Sequence, residues 1–341
     1  MKNTIVLFGE LMMRLNTEGF SRLVQSDRLN VYYTGAEANA GAELAAWGCN
    51  ARLVSRVPAH DIGQACVNYM QRFGLETRFV QRGGDRLGIL YVENGASQRQ
   101  SKVVYDRKDS AFTTFDDADL DWNEVFAGAK WLHFSGTAPA IAPRLVPVLK
   151  RACVAAKANG VTISCDLNFR RKLWTQEEAS KVMTELMDYI DVLICNEEDA
   201  DAVFGIKAAD SNITGGHLNR EGYEDVAQQL TERFKVSHVA ITLRESLSAS
   251  VNNWSALLYS GGKSHFSTKY SIQIIDRVGG GDSFAGGLIY GLTQGWDADR
   301  TVNFAVAASC LKHTIPGDFN LVSLQEVETL MSGDGSGRIQ R

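Results

Sequence analysis

The sequence predicts an α/β fold: a doubly wound, mostly parallel sheet flanked by helices, with a small β-sheet lid. Short apolar runs alternate with helix-like stretches along most of the 341 residues. Polar clusters stand directly after several of the apolar runs, where open parallel sheets hold ligands. Two strand-like segments, 29–34 and 88–107, break the alternation because no helix pattern follows them directly.

TIVLFG (4–9) reads as the first strand; it breaks at Gly9-Glu10 and lacks the small-residue cleavage site of a secretory leader. AEANAGAELAAWG reads as a helix closed by Gly48. ARLVSRV (51–57) is a strand and DIGQACVNYMQRFG (61–74) a helix. WLHFSG (131–136), a helix over 142–160, the strand VTISCDLNF (161–169) and a helix after Trp174 follow. DVLICN (191–196) is a strand, EDADAVFG (198–205) and EDVAQQLTERF (224–234) are helices, and HVAITLR (238–244) is a strand. HFSTKYSI (265–272) reads as a further strand, and helices over 282–294 and 300–313 close the pattern. LNVYYT and GILYVENGASQRQSKVVYDR, the latter folded around Asn94-Gly95, fit a small antiparallel sheet. Such a sheet serves as a lid or a dimer contact, or extends an edge of the main sheet. One domain is expected over 1–331, with lid segments at about 12–34 and 86–109 inserted and a frayed polar tail over 332–341.

Hydrophobic residues make up 45% and charged residues 22%, which excludes disordered and fibrous classes. A net charge of −5 gives no general attraction to nucleic acid or to an anionic membrane, so an anionic ligand needs local cations. No apolar run approaches the ~20 residues of a membrane span. The six cysteines are scattered without a CxxC pair or a Cys/His cluster. They are expected to be reduced and buried, as in a cytoplasmic protein, with no zinc site.

The densest chemical signal is DRVGGGDSFAGG, from Asp276. Glycines 279, 280 and 281 let the backbone approach a ligand and turn its N–H groups outward. A helix opening near Asp282 adds its positive end, making an anion hole with a carboxylate at the rim. The helix N-terminus is expected to keep Asp282 ionised, as suits a base. The plainer alternative is a loop glycine run followed by an N-cap aspartate. Ala285, Gly286 and Gly287 are expected to pack this helix closely on the sheet. Phe284 stands where GxGxxG requires glycine, which excludes a classical dinucleotide site. SGGKS (260–264) has Leu257 where a P-loop has glycine, so Lys263 reads as a solvated hairpin lysine. Elsewhere, Glu37 and Asn39 begin a helix after Gly35, either facing a ligand or answering the helix dipole. DLNFRRKLW, NEEDA and RES place Asp166, Asn168, Arg170, Asn196, Asp199 and Arg244 beyond three strand ends. Each arginine alone reads equally as a surface salt bridge; their convergence points to a site.

GAEAN and DRVGGGDSFAGG resemble the two signatures of the ribokinase-like (PfkB) carbohydrate kinases, and the resemblance spans nearly the whole chain. GAEAN, VVYDR, DLNFR and IPGDFN look most like the 2-keto-3-deoxygluconate kinases of that family. The resemblance implies a ribokinase-like fold and ATP-dependent phosphorylation of 2-keto-3-deoxygluconate at C6. It makes Asp282 the general base, and the backbone of Gly279, Gly280 and Gly281 the anion hole. Gly35, Asn39, Tyr105, Arg107 and Arg170 fall on sugar-acid positions. Asn196, Asp199, Arg244 and Asn303 fall in the ATP and magnesium-phosphate region; Asp199 stands where the family has glutamate. Mg2+ is implied through phosphates, water and Asp199, with no direct protein ligand assigned, and a monovalent cation near Asp276. A homodimer through the lid is also implied. An early sugar-binding aspartate of the wider family is absent from GELMMRLN, where Glu10 and Arg14 stand, which points away from ribokinase activity. The alternatives are a fructokinase or other sugar kinase of the family, and a non-catalytic sugar- or nucleotide-binding protein on the same scaffold.

Overall fold

The structure is a computed structural model that describes residues 2–207 and 220–333; the expected tail lies outside it from residue 334. In β1 (Thr4–Phe8), Val6 and Phe8 enter one core cluster while Ile5 and Leu7 enter another. That split is the two-residue period of a strand covered on both faces. The chain continues through β2 (Met12–Thr17), β3 (Leu29–Thr34), α1 (Ala36–Ala46), β4 (Asn50–Val57), α2 (Asp61–Arg72) and β5 (Glu76–Arg82). Then come β6 (Gly88–Glu93), β7 (Lys102–Asp106), α3 (Trp122–Phe126), β8 (Ala129–Ser135), α4 (Thr137–Ile141) and α5 (Leu145–Ala158). β9 (Thr162–Asp166), α6 (Gln176–Leu186), β10 (Val192–Asn196), α7 (Glu197–Phe204), α8 (Arg220–Phe234) and β11 (His238–Ser246) follow. The remainder is β12 (Val251–Ser260), β13 (Lys263–Phe266), β14 (Tyr270–Gln273), α9 (Gly280–Thr293), α10 (Ala298–Lys312) and α11 (Leu324–Met331).

The ten-stranded sheet runs β13-β12-β11-β10-β9-β8-β1-β4-β5, with β14 also on β12. It is parallel from β11 to β5; β12, β13 and β14 add antiparallel pairs. Helices α5 to α8 pack on one face, and α1, α2, α9, α10 and α11 on the other. Strand order reverses between β1 and β8, so a crevice opens there beyond the carboxyl ends. No helix among the described residues is long and apolar enough to cross a membrane.

The second sheet runs β3-β2-β6-β7 and falls within the two expected lid segments. It corrects the expectation of an antiparallel lid: β2 and β6 run parallel, with Met12 opposite Gly88. β2 leaves the main sheet after β1 and β6 leaves after β5, and those strands point the same way. The expected strand over 265–272 is two strands. Ser267 breaks it, its hydroxyl accepting the Ala256 amide at 2.9 Å. Lys263 opens β13 after a Gly261-Gly262 turn and is exposed, as a hairpin lysine should be.

Candidate active site

α9 begins at Gly280, two residues before the expected start, so Gly280, Gly281 and Asp282 form its first turn. First-turn amides have no helical acceptor, and they carry the positive end of the helix dipole. Gly279 caps the helix at φ 85°, where a Cβ would overlap the Asp318 carbonyl oxygen. At Gly280 a Cβ would overlap the His313 ring, whereas Gly281 faces open space. Gly286 and Gly287 fit against Glu43 of α1 and Ala305 of α10, so the small residues pack α9 closely on helices rather than on the sheet.

Asp282 lines a cavity of about 350 Å3 with Gly279, Gly280 and Gly281, and its side chain remains partly accessible. Asn39 Nδ2 donates to the Asp282 carboxylate at 2.6 Å. The Asn39 amide oxygen is held by the Thr34 hydroxyl at 3.0 Å, which fixes which end of the amide meets Asp282. Burial pushes the Asp282 pKa up to about 7; the Asn39 bond opposes it, the charges of Asp166 and Asp318 add to it, and Arg170 opposes it. The helix N-terminus was expected to keep Asp282 ionised; desolvation by burial works against that and raises its pKa instead.

Gly35, Tyr105, Arg107 and Arg170 line the same cavity. Gly35 is extended, and a Cβ there would overlap the Glu10 carbonyl oxygen. Arg107 pairs with Glu10, to which Ser110 also donates, and lies over the Tyr105 ring at 5.5 Å from its centroid. Arg170 is exposed at the end of the β9 loop and donates to the Phe169 carbonyl at 3.0 Å. Glu37 lines the cavity too, but its carboxylate is engaged by the protein. It is buried, accepts from the Ser135 amide and hydroxyl at 2.8 and 2.7 Å, and burial pushes its pKa up to about 7.

At the end of β10, Asn196 caps α7 by accepting from the Asp199 amide at 2.8 Å. Asn196, Asp199 and Arg244 line the cavity. Asp166, marked in the sequence as a strand-end residue but given no role there, lines it too; burial and then the charge of Asp199 push its pKa up to about 7. Two carboxylates that line one cavity and feel each other's charge suit a hard divalent cation that keeps waters and phosphate oxygens as its other ligands. Among the described residues no group of three or more His, Cys, Asp or Glu could hold a metal by itself. Arg277, two residues before the glycine run, was also missed; it lines the cavity as well. Burial lowers its pKa, and the neighbouring charge of Arg244 lowers it further, so this wall attracts an anion. Asn303 stands apart from the cavity, engaged by the Thr268 amide at 2.9 Å and donating to the Asp299 carbonyl at 2.8 Å. Asp276 is buried below the glycines, its carboxylate held by Arg14 at 2.6 Å and by the amides of Val278 and Gly317 at 3.1 and 3.0 Å.

Residues 2–321 match the model of the family described as pfkB family carbohydrate kinase. The crystal structure of 2-dehydro-3-deoxygluconokinase from Thermotoga maritima is 48% identical, covers 97% of this chain and 100% of its own, and superposes with a TM-score of 0.94. A 2-dehydro-3-deoxygalactonokinase from Haloferax volcanii is 27% identical over 333 residues, 98% of each chain. A 5-dehydro-2-deoxygluconokinase from Bacillus subtilis is 25% identical over 335 residues, 96% of this chain and 95% of its own.

Proposed function

The chain belongs to the pfkB family of carbohydrate kinases, and from that premise we propose that it phosphorylates 2-keto-3-deoxygluconate at C6 with ATP. It is a phosphotransferase with an alcohol acceptor, in the neighbourhood of the sugar-acid kinases. The observation that carries the acid is the presence of Arg170 and Arg107 in one cavity with Asp282. A carboxylate drawn out of water needs a cation, and arginine offers a two-pronged fork. Arg107 already holds Glu10, so Arg170 is the main carboxylate partner and Arg107 the second.

In this scheme Asp282 accepts the proton of the C6 hydroxyl as its oxygen bonds to the γ-phosphorus. The bond from that phosphorus to the bridging oxygen breaks, and ADP leaves. The first-turn amides of α9 receive the charge on the transferring group, with Arg244 and Arg277 on the adjoining wall. Asp166 and Asp199 would hold Mg2+, which when bound neutralises phosphate charge. Asn39 keeps the Asp282 carboxylate in place. The six cysteines are buried thiols that form no disulfide, which supports the cytoplasm as the site of action.

ADP release measured for 2-keto-3-deoxygluconate, its C4 epimer, 5-dehydro-2-deoxygluconate and fructose tests the assignment. The wild type should give its highest kcat/KM with 2-keto-3-deoxygluconate. Arg170→Ala should lower that value roughly 10- to 100-fold, the worth of a charge-assisted pair, and leave the rate on fructose unchanged. Fructose as the best substrate, or equal losses on acid and neutral sugar, overturns the acid assignment. No ADP release with any of the four would favour a non-catalytic binder.

We extend the proposal to a homodimer through the second sheet. Register puts Met13, Leu15, Val31, Tyr91 and Val104 on the face turned away from the cavity, and Val31 and Val104 are each about half exposed. A second copy would cover that face. Sedimentation should show a dimer that Val31→Glu with Val104→Glu splits into active-site-intact monomers; a wild-type monomer refutes it.

A further inference from the structure

Lys312 ends α10 and is fully buried, at 0% exposure. Its Nζ donates to the carbonyl oxygens of Asp276 and Ile315, both at 3.3 Å. These oxygens belong to two segments that are laced together. The amides of Ile275 and Asp276 both donate to the His313 carbonyl, at 2.8 and 3.1 Å, and the Gly317 amide donates to Asp276. The segment over 313–318 is the floor of the glycine cup. Gly279 fits under the Asp318 carbonyl, and Gly280 fits against the His313 ring.

A monovalent cation placed beside Asp276 would need oxygen donors; both Asp276 carboxylate oxygens and the Asp276 and Ile315 carbonyls already accept hydrogen bonds, and the buried oxygen left over, Asp318 Oδ2, belongs to a carboxylate that Arg14 already neutralises. Arg14, fully buried on β2, holds Asp276 and Asp318 together, and Lys312 holds the main-chain oxygens. The cluster thus has two cations of the chain against two carboxylates, and a further ion would enter against Lys312 and Arg14. Without the ammonium, two carbonyl oxygens would lie buried beside the carboxylates with no donor, a costly arrangement.

We infer that the Lys312 ammonium is a built-in monovalent cation that positions the amide cup from behind, so that the kinase requires no added potassium or ammonium ion there. Lys312 is a positioning residue, since it reaches the transferring phosphate only through the 276–280 backbone. The inference rests on kinase membership and not on the choice of acid.

Wild type and Lys312→Ala are compared with potassium, ammonium, sodium or tetramethylammonium as the sole monovalent cation, by ADP release and by thermal melting. Wild-type rate and Tm should be the same in all four. In tetramethylammonium the alanine variant should lose kcat by about 10-fold or more, as when a group supporting an anion hole is removed. Potassium or ammonium should then enter the space, restore most of kcat saturably and raise Tm, as a ligand of the native state does. A wild-type rate or Tm that climbs with potassium overturns the inference. So does an alanine variant whose rate is normal, or whose loss is the same in every salt. The wild-type arm decides the question by itself should the variant fail to fold. The melting arm needs no substrate, so a wrong acid silences the rate assay and leaves the cation result readable.

Discussion

Asp282 is held in a setting that disfavours its charge, and both its chemistry and a cost in stability follow from that. Its pKa in the folded chain lies at about 7 against an ordinary 3.8, chiefly through burial. The native state therefore keeps a proton that the unfolded chain releases, and stability falls as pH rises from about 4 through about 7. Asp282→Asn removes that penalty. Its Tm should exceed the wild-type value at pH 8, with the gap closing towards pH 4; a lower Tm at pH 8 contradicts the assignment. The same proton sets the rate: kcat/KM should rise tenfold per unit below about pH 7 and level off above it. Functional sites commonly exchange stability for reactivity in this way.

The N-terminus of α9 is where local backbone conformation becomes chemistry. Gly279→Ala must place a Cβ at φ 85° against the Asp318 carbonyl, whereas Gly281→Ala meets open space. Gly279→Ala should lower kcat by about 100-fold, the scale of losing an anion-hole donor, and should also lower Tm. Gly281→Ala should leave Tm within a degree or two of wild type, as expected of an unstrained surface change. Equal effects in kcat assays and melts of the two variants would mean the cup has no special geometry at Gly279. Much of this was legible in the chain. Glycine punctuation and apolar runs mark most of the parallel core, and GGGD with the strand-end clusters marks the cavity wall. β5, β12 and α11 were not marked. β12 opens with VNNW and gains its strand from pairing with β11, and α11 is a short helix whose Ser323–Glu326 capping box and helically spaced Leu324, Val327 and Leu330 went unread. Arg14 was visible as a residue but not in its role, because its partners Asp276 and Asp318 lie 262 and 304 positions away. The raised pKa of Asp282 and the carboxylate pair Asp166–Asp199 escaped for the same reason: burial and through-space charge are set by chain segments remote in sequence.

At the scale of the whole molecule, the reversal of strand order between β1 and β8 opens the crevice, and the second sheet covers it. Met12, Leu90 and Tyr105 of that sheet line the cavity with the strand-end residues and the α9 turn. Arg14 ties the covering sheet to the floor of the glycine cup, so both walls of the site share one buried ion cluster. In the proposed scheme, sugar-acid selection by Arg170, phosphate holding by α9 and proton removal by Asp282 meet in this one space. The most direct test is the turnover of Asp282→Asn with ATP and 2-keto-3-deoxygluconate at pH 8, followed by ADP release. It should fall by about 1000-fold or more, the scale of removing a general base, with KM within a few fold and a cooperative melt retained. Turnover near the wild-type rate would contradict the role of Asp282 at the centre of the site.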